Sequence, residues 1–153
     1  MHLAEINIAR LLHPQDDPRV AEFMDNLERV NAIAERSAGF VWRYTDESGN
    51  ATDTQAFDDP QVIVNLSVWE SAEALEQFVF KTVHKQFYGK RRAWFDAAFG
   101  PALALWWIEP GTTPTLEEAL ARWRKLRDEG QSGDVFGWEG AASAELWKTA
   151  RCG

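Results

Sequence analysis

Cysteine is nearly missing from this chain of 153 residues: Cys152 stands alone, one position from the C-terminus. A lone thiol cannot close an intramolecular disulfide, which excludes a small disulfide-stapled scaffold and leads us to expect a reducing, cytoplasmic setting. Positive charge is also short. Lys and Arg number 16 against 24 Asp and Glu, a formal net charge of −8. The average surface therefore repels phosphate backbones and anionic headgroups, and neither nucleic acid nor membrane is expected as a partner. No apolar run approaches the roughly 18–20 residues of a membrane span, and the opening Met1-His2-Leu3-Ala4-Glu5 has neither the basic start nor the apolar stretch of a secretion signal. Histidine is confined to His2, His13 and His84, without companions at a metal-ligand spacing. There is no P-loop, dinucleotide glycine fingerprint, nucleophile elbow or zinc pattern, so nucleotide-dependent chemistry is not expected and no metal site is assigned.

What the chain does have is apolar and aromatic material: 45% hydrophobic residues, with 8 Trp and 9 Phe. A chain of this length can bury about 70% of its unfolded surface, enough for one domain with one core. We assign that domain to residues 1–140 and a C-terminal tail to 141–153, in which Leu146 and Trp147 are the evident docking residues.

Leu3 to Ala9 alternates with the period-2 pattern of a half-buried strand. Asp17-Pro18 is a helix start, and Val20, Phe23, Met24, Leu27, Val30 and Ile33 then recur at helical spacing until Ser37-Ala38-Gly39. Phe40 to Tyr44 is β-prone, and Asp46 to Pro60 is a polar, acidic loop. Val62 to Trp69 is the clearest strand; Ser71 caps a second helix carrying Leu75, Phe78 and Val79, with helical character continuing, with or without a break, to Phe99. Ala102 to Ile108 is a further strand, Thr115-Leu116-Glu117-Glu118 has capping-box spacing for a third helix ending at Gly130, and Val135–Trp138 suits a short last strand.

The order β-α-β-β-α-β is that of an α+β, ferredoxin-like sheet, here with an extra C-terminal helix. Two helices cover one face of such a sheet and leave the other in need of a partner. Assembly as a homodimer, the dimeric α+β barrel, is the expectation, supported by apolar residues on both sides of the third strand.

The densest group of polar and aromatic residues is Phe80, His84, Tyr88, Arg91, Arg92 and Phe95. On a continuous helix His84, Tyr88, Arg91 and Phe95 share one stripe, while Val83, Phe87, Trp94 and Ala98 form an apolar one beside it. The second stripe suits the core. The first suits a cavity wall holding a proton-transfer group, a phenol and a guanidinium.

Trp69-Glu70-Ser71-Ala72-Glu73-Ala74-Leu75 followed by Phe80-Lys81-Thr82-Val83-His84-Lys85 resembles the segment that sets a histidine on the second helix of antibiotic-biosynthesis monooxygenase-like proteins. Asn7-Ile8-Ala9-Arg10, Gly39-Phe40-Val41-Trp42-Arg43, the stretch from His84 to Arg91-Arg92-Ala93-Trp94-Phe95, and Leu105-Trp106-Trp107 with Gly111, Pro114-Thr115 and Glu118-Ala119 resemble, in the same order, a bacterial family within that superfamily: the domain-of-unknown-function family numbered 3291. The resemblance implies a dimeric α+β barrel with a small-molecule cavity.

Two chemistries follow from it. Cofactor-free members bind an electron-rich aromatic molecule whose loss of a proton lets it meet dioxygen. The resemblance then implies His84, Asn7, Tyr88 and Arg91 as catalytic groups, with Trp42, Phe78, Phe80, Arg92 and Phe95 around the substrate. Haem-degrading members use an asparagine on the first strand and a histidine on the second helix, and Asn7 and His84 match those positions; Phe78 stands where those members carry tryptophan. The main expectation is a monooxygenase-like enzyme without cofactor, acting on an aromatic or polyketide-type metabolite. The alternatives are haem on His84, or a non-catalytic ligand-binding or assembly module.

Overall fold

The computed structural model describes residues 1–45, 59–81, 85 and 89–138. Its elements are β1 (His2–Arg10), a 3-10 turn (Pro18–Val20), α1 (Ala21–Glu35), β2 (Phe40–Arg43), β3 (Val62–Trp69), α2 (Ala72–Lys81), the short α3 (Arg91–Trp94), β4 (Leu103–Ile108) and α4 (Leu116–Glu129). The four strands form one antiparallel sheet in the order β2-β3-β1-β4. This is the ferredoxin-like α+β topology.

Local chemistry accounts for the element ends. The Asp17 carboxylate accepts from the Arg19 N–H at 2.8 Å, but it caps the 3-10 turn, and the α-helix begins only at Ala21. Ser71 Oγ accepts from the Ala74 N–H at 3.1 Å to start α2, and Thr115 Oγ1 accepts from the Glu118 N–H at 3.1 Å to start α4. Gly39, with φ +84°, turns the chain from α1 into β2; a Cβ there would lie 2.4 Å from that of Ala74. Glycine is needed twice over, by the backbone and by the close approach of α2.

The helical run does not reach Phe99. Lys90 is a turn residue, α3 ends at Trp94, and Phe95 is extended (φ −120°, ψ 146°), bridging to Leu11. Phe95 therefore shares no helical stripe with Arg91, and Ala98 is exposed rather than on a core stripe, while Trp94 is buried. His84, Tyr88, Val83 and Phe87 lie outside the described residues, as do the tail from 141 and most of the acidic loop. Of the expected strand at Val135–Trp138, Phe136 alone pairs, through two backbone hydrogen bonds to Leu105 of 2.8 and 2.9 Å.

The two faces of the sheet belong to different helices. Ala4, Ile6 and Ile8 with Val62, Val64, Leu66, Val68, Ala104 and Trp106 pack under Ala119, Leu120, Trp123 and Leu126 of α4. The alternate residues Leu3, Trp69, Leu103 and Leu105 pack with Ala34 of α1 and Leu75, Phe78 and Val79 of α2. Adjacent Trp106 and Trp107 accordingly part company, one under α4 and one beside Phe136. Within one chain α4 already lies over part of this face. Leu66, Val68 and Trp106 are 0% exposed within the single chain because α4 lies over them. Among the described residues, no helix is long and apolar enough to cross a membrane.

Candidate functional site

Between α1, α2, α3 and the helix-facing side of the sheet is a cavity of about 450 Å³, a size that suits a small organic molecule. Its floor departs from the apolar pattern that a helix-covered sheet calls for. In the β1–β3 register Glu5 lies opposite Ser67 and Asn7 opposite Asn65, so four polar side chains form one block on this face. Asn26 and Asn31 of α1 add amides from above. The walls are aromatic: Trp69 and Phe78 stack with centroids 5.3 Å apart, and Phe23 meets the edge of Phe95 at 4.9 Å and Trp94 at 5.6 Å. Exposed Arg92 and Ala97 among the lining residues mark the solvent side.

Glu5 is the group with the strongest electrostatic signature. Its residue is 4% exposed, and the Ser67 hydroxyl donates to its Oε1 at 3.4 Å while the Trp69 indole N–H donates to Ser67 Oγ at 3.0 Å. Burial pushes the carboxyl up to about 8, since the charged form loses its hydration; the Ser67 hydrogen bond pulls weakly the other way. Such a carboxyl, in a cavity, holds its proton and donates a hydrogen bond near neutrality, and its ionised form is a stronger base than an ordinary carboxylate. At the rim, Arg43 is committed to Glu35 through a 2.6 Å hydrogen bond, and the Arg10–Asp59 pair at 2.7 Å holds Asp59 below the usual carboxylate range.

Of the residues singled out in the sequence, Asn7, Phe78, Arg91, Arg92 and Phe95 stand around the cavity. Phe80 does not line it: its ring packs on Trp138, 5.5 Å away, which does. Trp42 is not brought to the cavity either. The strand irregularity between Phe40 and Trp42 sets Trp42 opposite Val68, and it packs with the core under α4 while Phe40 meets Trp69. His84 and Tyr88 lie outside the described residues. Sequence reasoning did not single out Glu5, Asn65 or Ser67. The available signal was polar residues at alternate positions of two strands, which becomes a cluster only once the strand register is known. Among the described residues, no group of three or more His, Cys, Asp or Glu is placed to hold a metal ion.

The chain is thus a ferredoxin-like α+β domain with a polar-floored, aromatic-walled cavity beneath its helices. The family model described as "Domain of unknown function (DUF3291)" matches residues 2–152, and the chain belongs to that family. No curated protein matches it. Among solved structures it is similar to SnoaB, a cofactor-independent oxygenase from Streptomyces nogalater, at 18% identity and a TM-score of 0.47, covering 74% of this chain and 98% of that one. A single-site variant of the same oxygenase gives a TM-score of 0.49, with the same identity and coverage. The structural-genomics protein YJCS is similar at 12% identity and a TM-score of 0.46, covering 71% of this chain and 100% of that one.

Proposed function

We propose that this protein binds a small, planar, largely apolar molecule, of aromatic or polyketide type, in the cavity between sheet and helices, and acts on it as a cofactor-free monooxygenase-like enzyme. The observation that carries the reading is the cavity itself, about 450 Å³ faced by aromatic rings and floored by Glu5, Asn7, Asn65 and Ser67. Rings provide apolar contact and stacking for a flat ligand, and the few polar groups fix its orientation. The resemblance of the Asn7, His84 and Arg91-Arg92 segments to antibiotic-biosynthesis monooxygenase-like proteins supports the oxygenase part, with Asn7, Arg91, His84 and Tyr88 as the groups proposed to act and Phe78, Arg92 and Phe95 as those that hold the ring.

The resemblance also supports assembly as a homodimer, with α4 rather than a second copy over much of the second sheet face. The test is titration with hydroxylated polycyclic aromatics, read by tryptophan fluorescence and by oxygen uptake. Saturable quenching with oxygen consumed supports the whole reading. Quenching without oxygen uptake reduces it to a binding module, a Soret band on adding haemin replaces it with haem binding, and no quenching by any aromatic overturns it.

A further inference from the structure

A carboxylate in the middle of a sheet, under helices, is costly unless something compensates it. Glu5 lies at such a position on β1, and the Ser67 hydroxyl at 3.4 Å is its one hydrogen-bond donor among the described residues. Among the described residues, burial and the Ser67 hydroxyl are what act on its charge. The cavity lining has Arg43 on β2 and Tyr44 just after it, Arg91 and Arg92 on α3 and Asp96 after it, while α1 offers Asn26 and Asn31, β3 offers Asn65 and Ser67, and α2 offers Phe78 and Val79. Arg43 bonds to Glu35. A purely structural side chain here would be apolar, as Leu3 and Trp69 are on the same face.

We infer that Glu5, in its ionised form, takes the hydroxyl proton of a phenolic or enolic aromatic ligand bound in this cavity, an assignment that rests on the small-molecule reading above. The ligand O–H bond breaks, a carboxyl O–H forms on Glu5, and the electron pair stays on the ligand oxygen as phenolate or enolate. One proton and one negative charge are conserved across the pair. Basicity suits the step. A phenol titrates near 10 and an ordinary glutamate near 4.3, a mismatch of about six units that leaves transfer negligible. Burial places Glu5 at about 8, which narrows the gap to about two units.

The probe is para-nitrophenol, whose neutral and ionised forms absorb at different wavelengths, with binding measured separately by equilibrium dialysis. In the wild-type protein the bound dye is expected to show a phenolate-to-phenol ratio about tenfold above that in Glu5→Gln, equivalent to one unit of pKa, while both proteins bind it. Equal ratios in the two proteins overturn the role of Glu5 and leave the cavity reading intact. Absence of binding to either protein removes the cavity reading and this inference with it. Should Glu5→Gln fail to fold, the wild type still decides: the infrared carbonyl band of the protonated carboxyl must change when the dye binds, and an unchanged band overturns the assignment.

Discussion

The two faces of one sheet are built from the same strands, residue by alternate residue, and they have been used differently. Under α4 the central positions of β1, β3 and β4 are apolar, from Ala4, Ile6 and Ile8 to Val62, Val64, Leu66 and Val68. Under α1 and α2 the equivalent positions read Leu3, Glu5, Asn7 and Ala9 on β1, and Ile63, Asn65, Ser67 and Trp69 on β3, around an open volume. The difference teaches where stability and specificity reside. The first face gains free energy from burying area without directional demands, whereas the second carries polar groups whose desolvation is tolerable only where a ligand or solvent can meet them.

Breaking the apolar face should have the largest effect. Trp123 is fully buried, stacks on Phe99 at 5.7 Å, and donates its indole N–H to the Pro101 carbonyl at 2.6 Å. Trp123→Ala is expected to cost about 3–5 kcal/mol in urea unfolding. Light scattering should show larger species for this variant than for the wild type, as the uncovered sheet face finds other partners. A wild-type mass of two chains would show association through a surface other than the one α4 covers.

Glu5 provides the next effect, with a sign opposite to that of most carboxylates. Its native value of about 8 lies above the ordinary 4.5, so between those values the folded protein binds more protons than the unfolded chain. The contribution of this group to stability is therefore greatest below about pH 4.5, falls as pH rises toward 8, and is constant above. The fall is on the order of 3 kcal/mol once water reaching the cavity side is allowed for. Denaturation of Glu5→Gln should lack this slope and should find the variant more stable than wild type at pH 9. A wild-type profile that is flat from pH 5 to 8 would show the carboxyl to be solvated or paired.

Asn65→Val on the cavity floor sharpens the contrast. Removal of an amide facing open volume should change unfolding free energy by about 1 kcal/mol or less, while affinity for an aromatic ligand falls about tenfold if the amide makes one good hydrogen bond. A large stability loss with unchanged affinity would make the polar block structural. The smallest effect belongs to neither face: Asp59→Asn breaks the half-exposed Arg10–Asp59 pair, and about 0.5 kcal/mol is expected from chemical denaturation.

Much of this architecture was legible in the chain because its signals are local. Period-2 alternation marked β1 and β3, Ser71 and Thr115 marked two helix starts, and Gly39 marked a turn that only glycine can make beside Ala74. The helical stripe through Arg91 and Phe95 was not reliable, since a break at Lys90 and the bridge of Phe95 to Leu11 are set by packing against β1 rather than by spacing. Trp42 was misplaced for a related reason: one irregularity in strand pairing moves a side chain to the other face.

Element order and the aromatic, acid-rich character were legible in the chain because periodicity, capping chemistry and composition act over a few residues at a time, while the family followed from motif resemblance along residues 2–152. Only the tertiary structure decided two things. It laid α4 on the face that the strand pattern left open, and it aligned Glu5 with Ser67 and Asn7 with Asn65 beneath the helices. The strand pairs lie 58 and 62 positions apart and α4 docks on β1 as well as on β4, so register and docking are chosen by the burial of whole faces and leave no mark at any single position.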